Sequence, residues 1–74
     1  MNKLPRIPSK LTLGDRIKYV RGSRSQTEFG LLIGLHKNKV VRYEANVDTP
    51  SLLILSRIAD IGNVTLDWLF FGKQ

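Results

Sequence analysis

The chain has 74 residues and no cysteine, so it forms at most one small domain without disulfides or thiolate metal sites. Its single histidine, His36, has no cluster of carboxylates around it, and we expect neither a metal nor any other cofactor. No apolar run approaches the roughly 18 residues needed to cross a bilayer. The basic N-terminus also lacks the apolar core of a signal peptide. These features predict a cytoplasmic protein with no membrane partner.

The net charge of +6 is unevenly distributed along the chain. Residues 1–43 contain ten Lys and Arg against two acidic residues, which gives +8, whereas residues 44–74 carry −2. This asymmetry favours a polyanion as the partner of the first half. A solvated surface whose charge serves solubility is the alternative. Composition alone leaves both interpretations open.

The first ten residues differ in character from the rest of the chain. Residues 1–10 contain Pro5 and Pro8, three cations and little periodicity. Proline blocks helix continuation and favours extended backbone. We therefore predict a flexible basic arm over residues 1–10 and a single folded domain over residues 11–74.

The segment "TLGDRIKYVRG" predicts the first helix. Thr12 is its expected N-cap, and Asp15, three residues on, completes a capping box. The apolar stripe at helical spacing is formed by Leu13, Ile17 and Val20. Gly22 is expected to end the helix.

The segment "SQTEFGLLIG" predicts a second helix, with Ser25 as N-cap and Glu28 completing the capping box. Its expected buried side chains are Phe29, Leu32 and Ile33. Gly34 should end it, because glycine enters the left-handed conformation without penalty. A third helix is predicted over about residues 37–45, followed by Asn46 in a left-handed cap. The inward side chains of that helix are expected to be Val40, Tyr43 and part of Glu44.

Two further helices complete the expected architecture. Pro50 suits the first turn of a fourth helix, where its missing N–H costs nothing. That helix, "LLILSRIADI", is apolar almost all round, which predicts a central position in the core. Gly62 and Asn63 should end it. Thr65 is expected to cap a short last helix that ends at Gly72. The predicted fold class is therefore all-α, with five short helices.

A helix, a tight glycine turn and a second helix form a helix-turn-helix. Gly30 must be small because the two helices cross closest there, and Gly34 needs a positive φ. The segments "SQTEF", "IGL", "RYEAN", "TPSLLILSRIAD" and "VTLDWLFFG" together resemble the Cro/phage-repressor, or XRE-type, family of DNA-binding domains. The likeness covers residues 12–72. Gly30 replaces the alanine usual in the family, at an expected cost of about 1 kcal/mol of helix stability.

The resemblance implies a lambda-repressor-like domain with its helix-turn-helix at helices 2 and 3. In this motif the third helix lies in the major groove. By resemblance, the residues at base-contacting positions are Lys37, Asn38, Val41 and Arg42. Arg42 and Lys37 suit guanine O6 and N7, Asn38 suits adenine N6 and N7, and an exposed valine suits a thymine methyl group.

Other positions are expected to contact phosphates. By resemblance these are Ser25 and Gln26. The flanks of the third helix add Lys39 and Asn46, and its N-cap position adds His36. Gln26 opens a helix whose free N–H groups and dipole attract an anion. For His36, capping or idle exposure is the alternative, and the arm either wraps DNA or does not contact it. The resemblance also pairs Arg21 with Glu44 in a structural salt bridge beneath the motif.

One module of this size buries too little surface for tight specific binding alone, so we expect a homodimer on palindromic half-sites. The resemblance places the dimer interface around Asn63, Leu66 and Phe70. Nothing in the sequence suggests an enzyme, since it offers no Ser-His-Asp set, phosphate loop or paired carboxylates.

The expected function is a sequence-specific transcriptional regulator that binds double-stranded DNA. It would be a phage or prophage repressor, either Cro-like or the N-terminal domain of a longer protein. The alternative with the same fold is the antitoxin of a toxin–antitoxin pair, which binds its toxin and its own operator. A toxin or an antirepressor therefore stays open as a protein partner.

Overall fold

The computed structural model describes residues 11–73, and these residues form helices joined by turns. The predicted arm, residues 1–10, lies outside the described residues. The five helices are α1 (Leu13–Arg21), α2 (Gln26–Ile33), α3 (Lys37–Glu44), α4 (Leu52–Gly62) and α5 (Asp67–Phe71). None of them has the length and apolar character that a membrane crossing requires.

Both predicted capping boxes are present and fix where α1 and α2 begin. The Thr12 hydroxyl accepts a hydrogen bond from the Asp15 N–H at 3.1 Å, and the Asp15 carboxylate accepts one from the Thr12 N–H at 3.2 Å. Ser25 and Glu28 repeat this exchange at 3.0 and 2.8 Å. Each box satisfies N–H groups that a helix start otherwise leaves without partners.

The turn between α2 and α3 depends on two glycines. Gly34 ends α2 in the left-handed conformation, with φ of 79°. A Cβ atom placed on Gly30 would lie 2.6 Å from the backbone oxygen of Leu35. The predicted close crossing is therefore confirmed. The contact is tight enough that even the alanine usual in the family would force the turn to shift.

One core joins all five helices. Its buried apolar side chains are Ile17, Val20, Phe29, Ile33, Val40, Tyr43, Ile54, Leu55, Ile58, Ala59, Trp68 and Leu69. The prediction that Leu32 is buried was wrong, because its side chain is 53% exposed. Phe29 and Ile33, four residues apart, fill the inward face of α2. Leu32 lies beside that face, where none of the five described helices covers it.

The predictions for the fourth helix need two corrections. Pro50 lies before the helix, because Ser51 is the N-cap and accepts a hydrogen bond from the Ile54 N–H at 3.3 Å. α4 is also not buried all round, since Leu52 and Leu53 are 71% and 60% exposed. The helix buries one face only, which is formed by Ile54, Leu55, Ile58 and Ala59.

The last helix is wound more widely than an α-helix, as a π-helical turn. The helical turn that leads into it starts at Leu66, and Thr65 caps this turn as predicted, with its hydroxyl accepting a hydrogen bond from the Trp68 N–H at 3.0 Å. Gly72 ends it with φ of 74°. Trp68 and Leu69 are buried in the core, whereas the next two residues, Phe70 and Phe71, are exposed.

Arg16 holds this last helix onto α1. Its buried guanidinium donates from Nε to the Leu69 carbonyl at 2.7 Å and from Nη2 to the Phe70 carbonyl at 2.9 Å. Nη1 donates to the carbonyl of Leu11. Burial lowers the pKa of Arg16. Arg16 is therefore a structural cation, and its charge is not available to bind a polyanion.

Candidate nucleic-acid interface

α3 begins at an N-cap supplied by histidine. His36 Nδ1 accepts a hydrogen bond from the backbone N–H of Asn38 at 3.0 Å. Of the interpretations left open by the sequence, capping is thus the one that the structure shows. The phosphate contact predicted for His36 stays a prediction, and it would have to use the outer ring nitrogen.

α3 has one side buried against the domain and one side exposed to solvent. Val40 and Tyr43 are buried as predicted, and Glu44 is half-buried. The exposed residues of the helix include all four predicted base-contacting residues and one predicted phosphate contact: Lys37, Asn38, Lys39, Val41 and Arg42. The result is one solvent-exposed surface rich in hydrogen-bond donors and positive charge.

The predicted salt bridge beneath the motif is present. Arg21 Nε lies 2.6 Å from Glu44 Oε2, and Nη2 lies 3.1 Å from Oε1. The hydrogen bond to Glu44 raises the pKa of Arg21. Gln26 Nε2 also donates to Glu44 Oε1, at 3.2 Å. Glu44 therefore ties α3 to α1 and to the first residue of α2.

Two predicted phosphate contacts, Ser25 and Asn46, are already engaged in structural hydrogen bonds. The Ser25 hydroxyl is the cap of α2. Asn46 has the predicted left-handed conformation, with φ of 61°, two residues after the end of α3. Its Oδ1 accepts from the Gly14 N–H at 2.9 Å, and its Nδ2 donates to Thr12 Oγ1 at 3.0 Å. Asn46 thus joins the end of α3 to the start of α1 and keeps one amide N–H for other partners.

Asp48 is a polar residue of this surface that the sequence did not indicate. Arg42 donates to its carboxylate from Nε at 2.6 Å and from Nη2 at 3.4 Å, and Lys39 Nζ lies 3.4 Å away. The hydrogen bond from Arg42 is the main cause that lowers the pKa of Asp48. Because Asp48 follows the end of α3, helical spacing gives no signal for this contact.

The predicted dimer residues lie between the end of α4 and the last helix, α5. Leu66 and Phe70 are partly exposed and line an apolar groove of about 410 Å³. The other lining residues are Thr49, Pro50, Leu52, Leu55, Asp67 and Phe71. Asn63 is exposed at the end of α4, in the left-handed conformation, and is not among the residues that line the groove.

A capped helix, a left-handed glycine turn and a second helix with an exposed cationic face define a helix-turn-helix DNA-binding domain. Residues 17–69 match the helix-turn-helix family, and the chain belongs to this family of Cro/CI-type DNA-binding transcriptional regulators. The family predicted from the sequence is thereby confirmed.

The fold is similar to that of a solved repressor. The similar structure is the P22 c2 repressor protein in complex with synthetic operator 9T in the presence of Tl⁺. It superposes with a TM-score of 0.80 at 20% sequence identity, over 86% of this chain and 100% of the other. The comparison with curated proteins gave no match.

Proposed function

We propose that the protein is a sequence-specific repressor of the phage type, which binds a palindromic operator as a homodimer. The outward face of α3 carries this proposal. It presents guanidinium, ammonium, amide and aliphatic groups on one exposed helix whose opposite side is fixed by the core and by Glu44. A helix of this width fits the major groove of B-DNA. The fold's similarity to a repressor whose structure contains an operator supports the same function.

Base recognition would come from the predicted residues of α3. Lys37 and Asn38 form its first turn, the end that faces base edges when this motif docks. Arg42 lies one turn further on and suits a guanine. Val41, 40% exposed, offers an apolar contact for a thymine methyl group.

Phosphate contacts would hold this helix in place. Ser25 and Gln26 mark the start of α2, where helix N–H groups and the dipole favour an anion. Lys39, His36 and Asn46 are the remaining candidates, on α3 and at its two ends. Such contacts fix the position of the protein on the duplex and carry no sequence information.

The apolar groove beside α5 supports the homodimer. Leu66 and Phe70 line it, and Phe71 is 60% exposed next to them. Exposed apolar patches rimmed by polar residues commonly mark protein interfaces. A two-fold dimer through this face would present two copies of α3 to half-sites about 34 Å apart.

Selection of bound sites from random duplex DNA at a stated salt concentration tests the proposal. Enrichment of a palindrome with half-sites about one helical turn apart supports it. No enrichment, combined with tight binding to the product of a neighbouring gene, would contradict it and favour the antitoxin.

Two variants then separate base contacts from phosphate contacts on the selected site. Arg42→Ala should weaken binding roughly 5- to 150-fold and relax the preference at one base pair. Gln26→Ala should weaken binding to all sequences alike. Lys18→Ala, which removes an exposed charge on α1, is the control for a general charge effect. Equal losses on specific and random DNA for Arg42→Ala would refute its assignment to a base.

A further inference from the structure

Asp48 lies in the loop that follows α3, and the backbone fixes its place beside the recognition helix. Its N–H donates to the Arg42 carbonyl at 3.4 Å, and the N–H of the preceding Val47 donates to the same carbonyl at 3.0 Å. The loop thus folds back over the last turn of α3. This brings the carboxylate next to the guanidinium of Arg42.

The two side chains meet along one defined edge of the guanidinium. Asp48 accepts from Nε and Nη2, at 2.6 and 3.4 Å, and this pair of donors forms the side of the arginine fork. The end of the fork, with one N–H on each terminal nitrogen, stays unused in this contact. Two parallel donors at the end of the fork are what guanine O6 and N7 accept.

The contact contributes little to the fold, since Arg42 is 52% exposed and Asp48 is 30% exposed. Exposed ion pairs are screened by water and salt, and most of them add little stability. Its placement matters more than its strength, because it orients a flexible side chain in the middle of the proposed recognition surface.

We propose that Asp48 is a positioning residue that holds Arg42 ready to donate to a guanine and thereby sets base preference. This inference rests on the proposed function. The carboxylate has a second effect, because it offsets part of the positive charge that Lys39 and Arg42 present to any phosphate backbone. Asp48 therefore lowers affinity for random DNA while it raises discrimination between sequences.

The test uses the full chain, the operator duplex obtained by selection, variants of that duplex at the guanine assigned to Arg42, and a random duplex. Proteins compared are the wild type, Asp48→Ala, Asp48→Asn and Asp60→Asn. Asp60 is exposed on α4 and forms no ion pair among residues 11–73, so its variant controls for the loss of one negative charge. Circular dichroism checks that each variant keeps its helices.

For the wild type we expect a preference for guanine of roughly 5- to 150-fold. Asp48→Ala should reduce this preference by at least about threefold, and Asp48→Asn, which keeps an acceptor oxygen, should reduce it less. Both variants should bind random DNA at about 50 mM salt up to about fivefold more tightly, because the repulsion between the Asp48 carboxylate and a phosphate is removed. Fivefold corresponds to the energy of two unit charges about 4 Å apart in water. Asp60→Asn should change neither value.

A double mutant shows whether Asp48 acts through Arg42. In the Arg42→Ala background, Asp48→Ala should leave the remaining base preference unchanged. If Arg42→Ala lowers the preference while Asp48→Ala does not, the positioning role is refuted and the proposed function stands. If the wild type shows no preference on any duplex, the proposed function itself fails.

Discussion

Replacing Arg16 by methionine tests the assignment of this cation to the fold. Methionine keeps an apolar stem that reaches about as far as arginine Nε, but it lacks the guanidinium group and has no donors. Three backbone carbonyls, those of Leu11, Leu69 and Phe70, then lose a charged partner. Two of them belong to α5, so the variant weakens the attachment of the last helix to α1.

The expected loss follows from these contacts. A hydrogen bond to a charged group contributes about 1.5–3 kcal/mol, but the bonds to Leu11 and Phe70 are only part-buried, and water can replace Arg16 there. We therefore expect Arg16→Met to lower the free energy of unfolding by about 2–4 kcal/mol. This loss is a large share of the total free energy of unfolding, which is roughly 4–11 kcal/mol for a domain of this size.

Urea denaturation followed by circular dichroism measures this loss. With a slope of about 1 kcal/mol per molar urea, the midpoint should fall by about 2–4 M. Lys18→Met is the matched control, because Lys18 is exposed on the same helix. It removes the same charge and should shift the midpoint by less than about 0.5 M.

Two results would refute this reasoning. A loss of stability below about 1 kcal/mol for Arg16→Met would mean that the buried hydrogen bonds are dispensable. A decrease of about one unit in the salt dependence of DNA binding, measured where the variant is folded, would mean that Arg16 neutralises a phosphate.

Three further predictions concern the support of α3. Glu44→Ala leaves Arg21 without its salt-bridge partner and should lower the free energy of unfolding by about 2–3 kcal/mol. The paired replacement Arg21→Met with Glu44→Leu should lose less stability. An equal loss for both variants in a urea titration would contradict this. Gly30→Ala should lower the free energy of unfolding by about 1 kcal/mol, although alanine has the better helix propensity, because the added Cβ would press on the backbone of the turn. A raised melting temperature would disprove that. Asp48 should titrate below its usual pKa of 3.8, so the pair with Arg42 persists above that pH and is lost as the pH falls through the folded pKa. A carboxylate NMR titration with a midpoint at or above 3.8 would argue against the pair.

The features that the sequence predicted well depend on near neighbours in the chain. Thr12 and Ser25 cap helices through residues three positions away, and Gly34 and Asn46 adopt the left-handed conformation for reasons internal to one residue. The inward position of Val40 follows from helical periodicity. The salt bridge between Arg21 and Glu44, by contrast, was available only through the family resemblance.

The features that the sequence missed depend on contacts between distant segments. Arg16 and Arg21 are both cations on α1, but only the position of α5 decides that Arg16 is buried. Leu32 and Leu53 are exposed because no helix within residues 11–73 packs over them, which no local pattern reveals. Asp48 reaches Arg42 because the loop after α3 turns back on the helix.

The way α3 is held has a consequence for engineering. Its attachments to the domain come from the inward residues Val40, Tyr43 and Glu44 and from the hydrogen bonds of Asn46 after its C-terminal end. Randomised codons at the outward positions would therefore leave the scaffold intact. If the outward positions contact bases as proposed, such a library would supply orthogonal regulators for synthetic gene circuits, each binding its own DNA sequence through a few exchanged side chains.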